Sequence, residues 1–184
     1  MSKAVLISIQ PKWCEKIARG EKTIEVRKNR PKIETTFKCY IYCTASGITA
    51  AERDRNIFTD LRCKVIGEFV CDSIQCFGVP YPAFQNKMDK SILEQSCLSY
   101  EELHRYAYHD TLYGWHISDL VIYDKPKELG EFYKVCPSYG ADFGVCWECE
   151  NAVGEECDCG VNGRIYLSRP PQSWCYVEEV HGDG

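Results

Sequence analysis

The sequence predicts a single α+β domain, rich in short strands with helices at its flank and interrupted late in the chain by a cysteine-rich insert. Three observations carry that expectation. Runs of β-branched and aromatic residues recur between Gly, Pro and polar turns. Two segments place apolar residues at helical spacing behind recognisable start signals. Five of the thirteen cysteines, Cys136, Cys146, Cys149, Cys157 and Cys159, crowd into residues 131–161 with four glycines and little periodicity. At 184 residues, 45% hydrophobic and 27% charged, the chain suits one domain over residues 1–184 and is too apolar for wholesale disorder.

Ala4 to Ile9 (AVLISI) is a continuous apolar run and reads as a buried strand. Pro11 suits a first helical position, where the N–H it lacks would have no partner, so PKWCEKIARG opens a helix. Trp13 and Ile17 at i, i+4, with Cys14 and Ala18, form its apolar face, and Gly20 is placed to end it in a left-handed turn. From Thr23 to Arg27 the residues alternate, which sets Ile24 and Val26 against Thr23, Glu25 and Arg27 in a half-buried strand with a charged face. Phe37–Thr44 and Cys63–Ile74 read as further strands, with Gly67 a bulge site in the second; the polar stretch between them reads as a loop with a short helix. Residues 77–91 hold two prolines and a glycine and read as a surface loop. Ser99, with Glu102 three residues on, has capping-box spacing and starts a helix that runs to about Tyr106. Leu112–Tyr123 is strand-like with a break near Ser118–Asp119, and Pro126 is expected to end it. The chain closes with RIYLS, Pro170-Pro171, a strand from Trp174 to Val177 and the polar tail HGDG.

The opening residues lack a signal peptide's long apolar core, and no 18 apolar residues run together, so neither export nor a transmembrane helix is expected. The chain is therefore read as cytoplasmic, where cysteines serve as buried fillers, metal ligands or nucleophiles more often than as disulfides. Net charge is -5, yet the first forty residues hold ten Lys or Arg against four Glu, a local +6 that leaves -11 for the remainder. A basic end on an acidic protein is compatible with either a phosphate-facing surface or a plain solvated face, because charge acts over a Debye length of about 8 Å.

Two constellations could carry chemistry. Cys146-Trp-Glu-Cys149 followed by Cys157-Asp-Cys159 supplies two thiolate pairs for a tetrahedral structural zinc, with Cys136 as a substitute ligand; free thiols are the competing reading. Lys22, Thr23, Glu25 and Arg27 place an ammonium, a hydroxyl, a carboxylate and a guanidinium within six residues. Arg and Lys take anionic oxygens and Glu accepts from an exocyclic amine, so the set can bind a nucleotide; the alternative is an ordinary Glu25–Arg27 salt bridge on a solvated face. Trp115, Trp174 and Tyr113 could stack a base, although an aromatic on a strand more often belongs to the core. Arg169, in SRPPQSWC, could add a cation.

The run SIQPKWCEKIARGEKTIEVRKNRPK, then YIYCT, TLYGWHISDLVIYDKPKEL and RPPQSWCYVEE, resembles the ASCH-domain proteins of bacteria and phages, in the PUA-like superfamily. The resemblance spans Val5 to Glu179 and is most specific at Gly20–Arg27. It implies a small β-barrel with helices across an opening, and a cleft beside Gly20–Arg27 suited to RNA or a modified nucleotide, with Lys22, Thr23, Glu25, Arg27, Trp115 and Arg169 as its binding residues. One branch of the family hydrolyses acetylcytidine with a lysine, a threonine and a later glutamate. By position the lysine is Lys22, the threonine is replaced by Glu25, and Glu94 is the nearest candidate for the glutamate. Three functions follow: a nucleotide- or RNA-binding module, a small nucleoside amidohydrolase with Lys22 as base and Glu25 as its partner, or a protein-interaction adaptor that uses the insert.

Overall fold

Strand β1 (Lys3–Ile9) has a core on each side, which is why its sequence is apolar without alternation: Val5, Ile7 and Ile9 face one cluster, Ala4 and Leu6 another. The structure is a computed structural model, and it describes residues 2–45, 61–136 and 163–180. β1 pairs in parallel with β3 (Phe37–Cys43) and antiparallel with β10 (Trp174–Glu178), so that Val5 stands between Cys39 and Tyr176. β4 (Lys64–Cys71) and β7 (Ser118–Glu128) extend this sheet in the order β10-β1-β3-β4-β7. A second sheet holds β2 (Ile24–Arg27), β6 (Leu112–His116) and β5 (Ile74–Phe77) in the order β2-β6-β5. β8 (Tyr133–Val135) and β9 (Arg164–Tyr166) form a separate ladder, with β8 against β10.

Helix α1 (Pro11–Ala18) buries Cys14 and Ile17 against the first core, where they meet Phe37, Cys39, Phe69 and Trp115. Removing a side chain such as Ile17 from water contributes about 1.5–3 kcal/mol. The helix ends as its sequence requires: Gly20 has φ +72°, and its N–H bonds the carbonyl of Ile17 at 2.9 Å. Helices α2 (Lys90–Ser96) and α3 (Tyr100–Ala107) cover the outer face of the small sheet, where Ile92 and Leu103 pack on Ile24, Val26 and Leu112. Ser99 and Glu102 form the expected capping box.

Four expectations are corrected. Among the described residues the strands lie in three separate sheets and do not close into one barrel, because the chain leaves the small sheet at His116, passes Ile117 and enters the large one at Ser118 without a shared ladder. Asp119, just inside β7, has φ +44°. Pro126 does not end β7; the strand lies at the sheet's edge, where a missing N–H is tolerated, and it runs on to Glu128. Residues 77–91 are not wholly loop: Phe77 closes β5, Pro82–Lys87 is a 3-10 helix, and α2 begins at Lys90. Residues 131–136 do not behave as insert, since Phe132 is fully buried against Tyr40 and Tyr133–Val135 pairs with Arg164–Tyr166. Gly67 does sit beside a bulge, for Ile66 is skipped in the pairing of β4 with both β3 and β7. The segment 46–60, most of the expected cysteine-rich insert and the tail HGDG lie outside the described residues.

Candidate functional site

Where the ends of β1 and β2 approach each other, α1 and α3 border a cleft of about 550 Å³. β1 and the turn after it supply Ser8, Ile9 and Gln10; α1 supplies Lys12 and Trp13; the next turn and β2 supply Lys22, Glu25, Val26 and Arg27. Thr44, Leu98, Glu102, Arg105, Tyr106 and Gln172 complete the wall.

The charged face of β2 looks into the molecule. Ile24 and Val26 are held by the helices, so strand parity turns Glu25 toward the large sheet, opposite Trp115. The solvated salt bridge entertained for this face is therefore not what forms: Glu25 is 7% exposed and Lys22 is 2% exposed. Glu25 sits between two cations, with Oε1 2.9 Å from Arg27 Nη2 and Oε2 3.3 Å from Lys22 Nζ. Lys22 also donates to the carbonyls of Ile24 and Ser96 at 2.8 Å each, so three acceptors surround its three N–H bonds. Arg27 donates through Nη2 to the Ser8 carbonyl at 2.6 Å and through Nη1 to Ser173 Oγ at 3.3 Å, while its buried Nε–H has no partner among the described residues. Burying a carboxylate is costly unless it is paired, and here two cations pair it and are in turn anchored by backbone carbonyls.

Trp13 forms one wall, with the Lys12 and Lys22 ammonium groups 4.3 and 5.4 Å from its ring centroid. Below it, burial pushes the Cys14 thiol well up, and the neighbouring Cys43 and Glu25 add to that rise; the thiol donates to the Ile9 carbonyl at 3.6 Å. Cys14 is therefore a packed filler rather than a nucleophile. On the opposite wall, the Glu102 carboxylate is engaged by the Ser99 N–H at 2.9 Å, while Arg105 and Tyr106 are exposed.

Of the residues singled out from sequence, Lys22, Glu25 and Arg27 line the cleft. Thr23 does not; its backbone N–H bonds Gln95 and its carbonyl accepts from Ile117. Trp115 is 0% exposed and packs in the core against Phe37 and Trp174, with no face open to a base. Arg169 and Glu94 are exposed and do not line the cleft, whereas Glu102 does. Cys146, Cys149, Cys157 and Cys159 lie outside the described residues; Cys136 is buried, and its N–H bonds the Gly163 carbonyl at 2.8 Å. Among the described residues no three His, Cys, Asp or Glu side chains gather to hold a metal. The sequence reading assigned no site role to Ser8, Lys12, Trp13, Thr44, Glu102, Arg105, Tyr106 and Gln172. The available signal was Lys12-Trp13, a cation beside an aromatic at the edge of an apolar helix face.

A family model described as "ASCH domain" matches residues 7–59. The crystal structure of ASCH from Zymomonas mobilis shares the fold, with TM-score 0.55 at 18% identity over 96% of this chain and 88% of that one. A tyrosine-to-phenylalanine mutant of the same protein gives 0.54 at 17% identity, covering 97% and 92%. A serine-to-alanine mutant gives 0.53 at 17% identity, covering 96% and 89%. No curated protein matches the chain. The matched segment contains the whole Lys22–Glu25–Arg27 cluster, so this chain carries a match to the ASCH domain at its cleft and shares the fold of these solved structures.

Proposed function

We propose that the cleft binds RNA through one nucleotide, or a free modified nucleotide, and that it does so without catalysis. One observation carries the reading: Glu25 lines the cleft while held between Lys22 and Arg27. A carboxylate fixed in this way is a preorganised acceptor for the exocyclic amine of a base. Trp13 and Tyr106 offer rings in the walls, and Lys12 and Arg105 offer cations for phosphate. A short single-stranded RNA titrated by fluorescence anisotropy tests this. Glu25→Gln is expected to weaken binding at least tenfold. The double change Lys12→Ala and Arg105→Ala is expected to flatten the slope of log K against log salt by about 1.4, at roughly 0.7 per lost phosphate contact. Salt-independent binding, or full affinity in Glu25→Gln, would refute the reading.

Amide hydrolysis at the same cleft is supported less well. Lys22 is surrounded by acceptors, Glu25 replaces the threonine of the hydrolytic branch, and the Ser8 hydroxyl is bound to the Pro171 carbonyl at 2.6 Å. Turnover of acetylcytidine that disappears in Lys22→Ala would reverse this preference.

We also propose that Cys146, Cys149, Cys157 and Cys159 hold one structural zinc ion. Four thiols at this spacing suit the metal, and the ends of the segment are joined, with the Cys136 N–H on the Gly163 carbonyl and β8 paired to β9. The adaptor reading rests on this same segment, and its deletion test must spare residues 131–136, which belong to the folded body.

A further inference from the structure

From the cleft wall at Tyr106 outward, side chains that would ordinarily be covered stand open. Tyr81, Phe84, Tyr106 and Tyr108 are 65, 52, 40 and 78% exposed. The other large hydrophobic side chains exposed among the described residues, Val121, Val135 and Tyr166, belong to β7, β8 and β9. Three rings of the first region touch in series: Tyr108 and His109 have centroids 5.5 Å apart, and His109 and Tyr81 have centroids 5.6 Å apart. Tyr106, two residues before Tyr108, is itself in the cleft wall. Lys28 links the two groups, with its ammonium 5.7 Å from the Tyr106 ring centroid and 3.0 Å from the carboxylate of Asp110, the residue after His109. Lys87 stands 5.0 Å from the Phe84 ring centroid, and Arg105 is exposed one residue before Tyr106. The carboxylate bound into this strip, Asp110, is taken up by Lys28.

We propose that Tyr106, Tyr108, His109 and Tyr81 form a stacking track for single-stranded RNA that continues out of the cleft; this rests on the cleft reading above. Open rings with polar edges, set in series and flanked by cations, suit unpaired bases and their phosphates. Each base presents a π-face whatever its sequence, so the track reads strandedness and length rather than base identity. The track holds roughly two or three bases beyond the one in the cleft, one per exposed ring face.

Anisotropy titrations with a 3-nucleotide and a 12-nucleotide single-stranded RNA of mixed sequence test the track on the full-length protein. The 12-mer is expected to bind at least about fivefold tighter than the 3-mer, the low end of one stacked base. Tyr81→Ala with Tyr108→Ala should abolish the length preference, so that the variant binds the 12-mer and the 3-mer alike, while Tyr108→Phe keeps it. If the alanine pair leaves the 12-mer untouched, the track is wrong and the cleft reading stands. If neither RNA binds the wild type, both fall. Equal binding of a 12-base-pair duplex, lost in the same variants, would also overturn stacking. So would sedimentation showing that the wild type self-associates through this face and the alanine pair does not.

Discussion

Arg27 on β2 donates to the carbonyl of Ser8 on β1 at 2.6 Å, and this bond spans the gap between the small sheet and the large one at the cleft. The same guanidinium holds Glu25, so one side chain both joins two layers and positions the proposed acceptor. Stability and ligand affinity should therefore fall together when this cluster is broken. Glu25→Ala leaves Lys22 and Arg27 buried without their counter-charge and is expected to cost about 3–5 kcal/mol in urea unfolding. Arg19→Ala removes the exposed i, i+4 partner of Glu15 and should cost only about 0.3–0.5 kcal/mol. Similar losses in the two variants would show that the buried cluster has no special weight.

Gly67 packs with no room for a side chain. A Cβ there would land on the Val121 carbonyl and lie 3.1 Å from the Ile122 Cα, both backbone atoms of the paired strand β7. Gly67→Ala is expected to cost about 1–3 kcal/mol, because a β-sheet edge must move to admit the methyl group. Hydrogen exchange should speed up in β7 first. An unchanged midpoint would mean that the edge strand yields freely.

Alkaline pH should loosen the second core. Burial pushes the Tyr40 and Tyr42 hydroxyls up to about 12 each; for Tyr42 a hydrogen bond with Cys63 adds to the rise, and for Tyr40 the hydrogen bond donated by the Val180 N–H partly offsets it. An unfolded tyrosine ionises near 10, so the folded state holds these protons more tightly. The resulting stability is complete below about pH 10 and is lost as pH rises through about 12. Chemical denaturation at a series of pH values should show that decline, and Tyr40→Phe should make it shallower. A decline complete by pH 9 would contradict the assignment.

Thiol labelling should separate the cysteines by region. Burial pushes Cys14 and Cys39 well up and Cys71 up to about 12, so these three should resist alkylation at pH 8 until the protein unfolds, while the exposed Cys63 and Cys76 react at once. Native mass spectrometry should find one zinc per chain, and Cys149→Ser with Cys157→Ser should abolish it. A metal-free wild type purified without chelator would remove the zinc proposal.

The helix start at Pro11, the left-handed turn at Gly20, the capping box at Ser99 and the alternation of β2 are legible in the residues because each depends on neighbours within about one turn. Lys22, Glu25 and Arg27 were found for the same reason: they share one short motif. Trp13, Arg105 and Tyr106 come from two helices that meet only in the folded chain, and no local pattern pairs them. The depth of Glu25 depends on the large sheet standing across from β2, and Pro126 can remain in β7 because that strand lies at an edge. Phe132 looked like part of a coreless insert because the side chains it packs with are distant in sequence, Tyr40 on β3 and Leu167 beyond residues 137–162.

The first strand pairs with the last: Lys3 stands opposite Glu178 and Ile7 opposite Trp174. Ser8 takes the Pro171 carbonyl, and Arg27 takes the Ser173 hydroxyl. A chain emerging from the ribosome can form α1, α3 and the small sheet while residues 171–178 are still inside the exit tunnel, but it cannot yet finish the cleft. Binding competence therefore arrives only once β10 has emerged, and a growing polypeptide that lacks it cannot capture ligand.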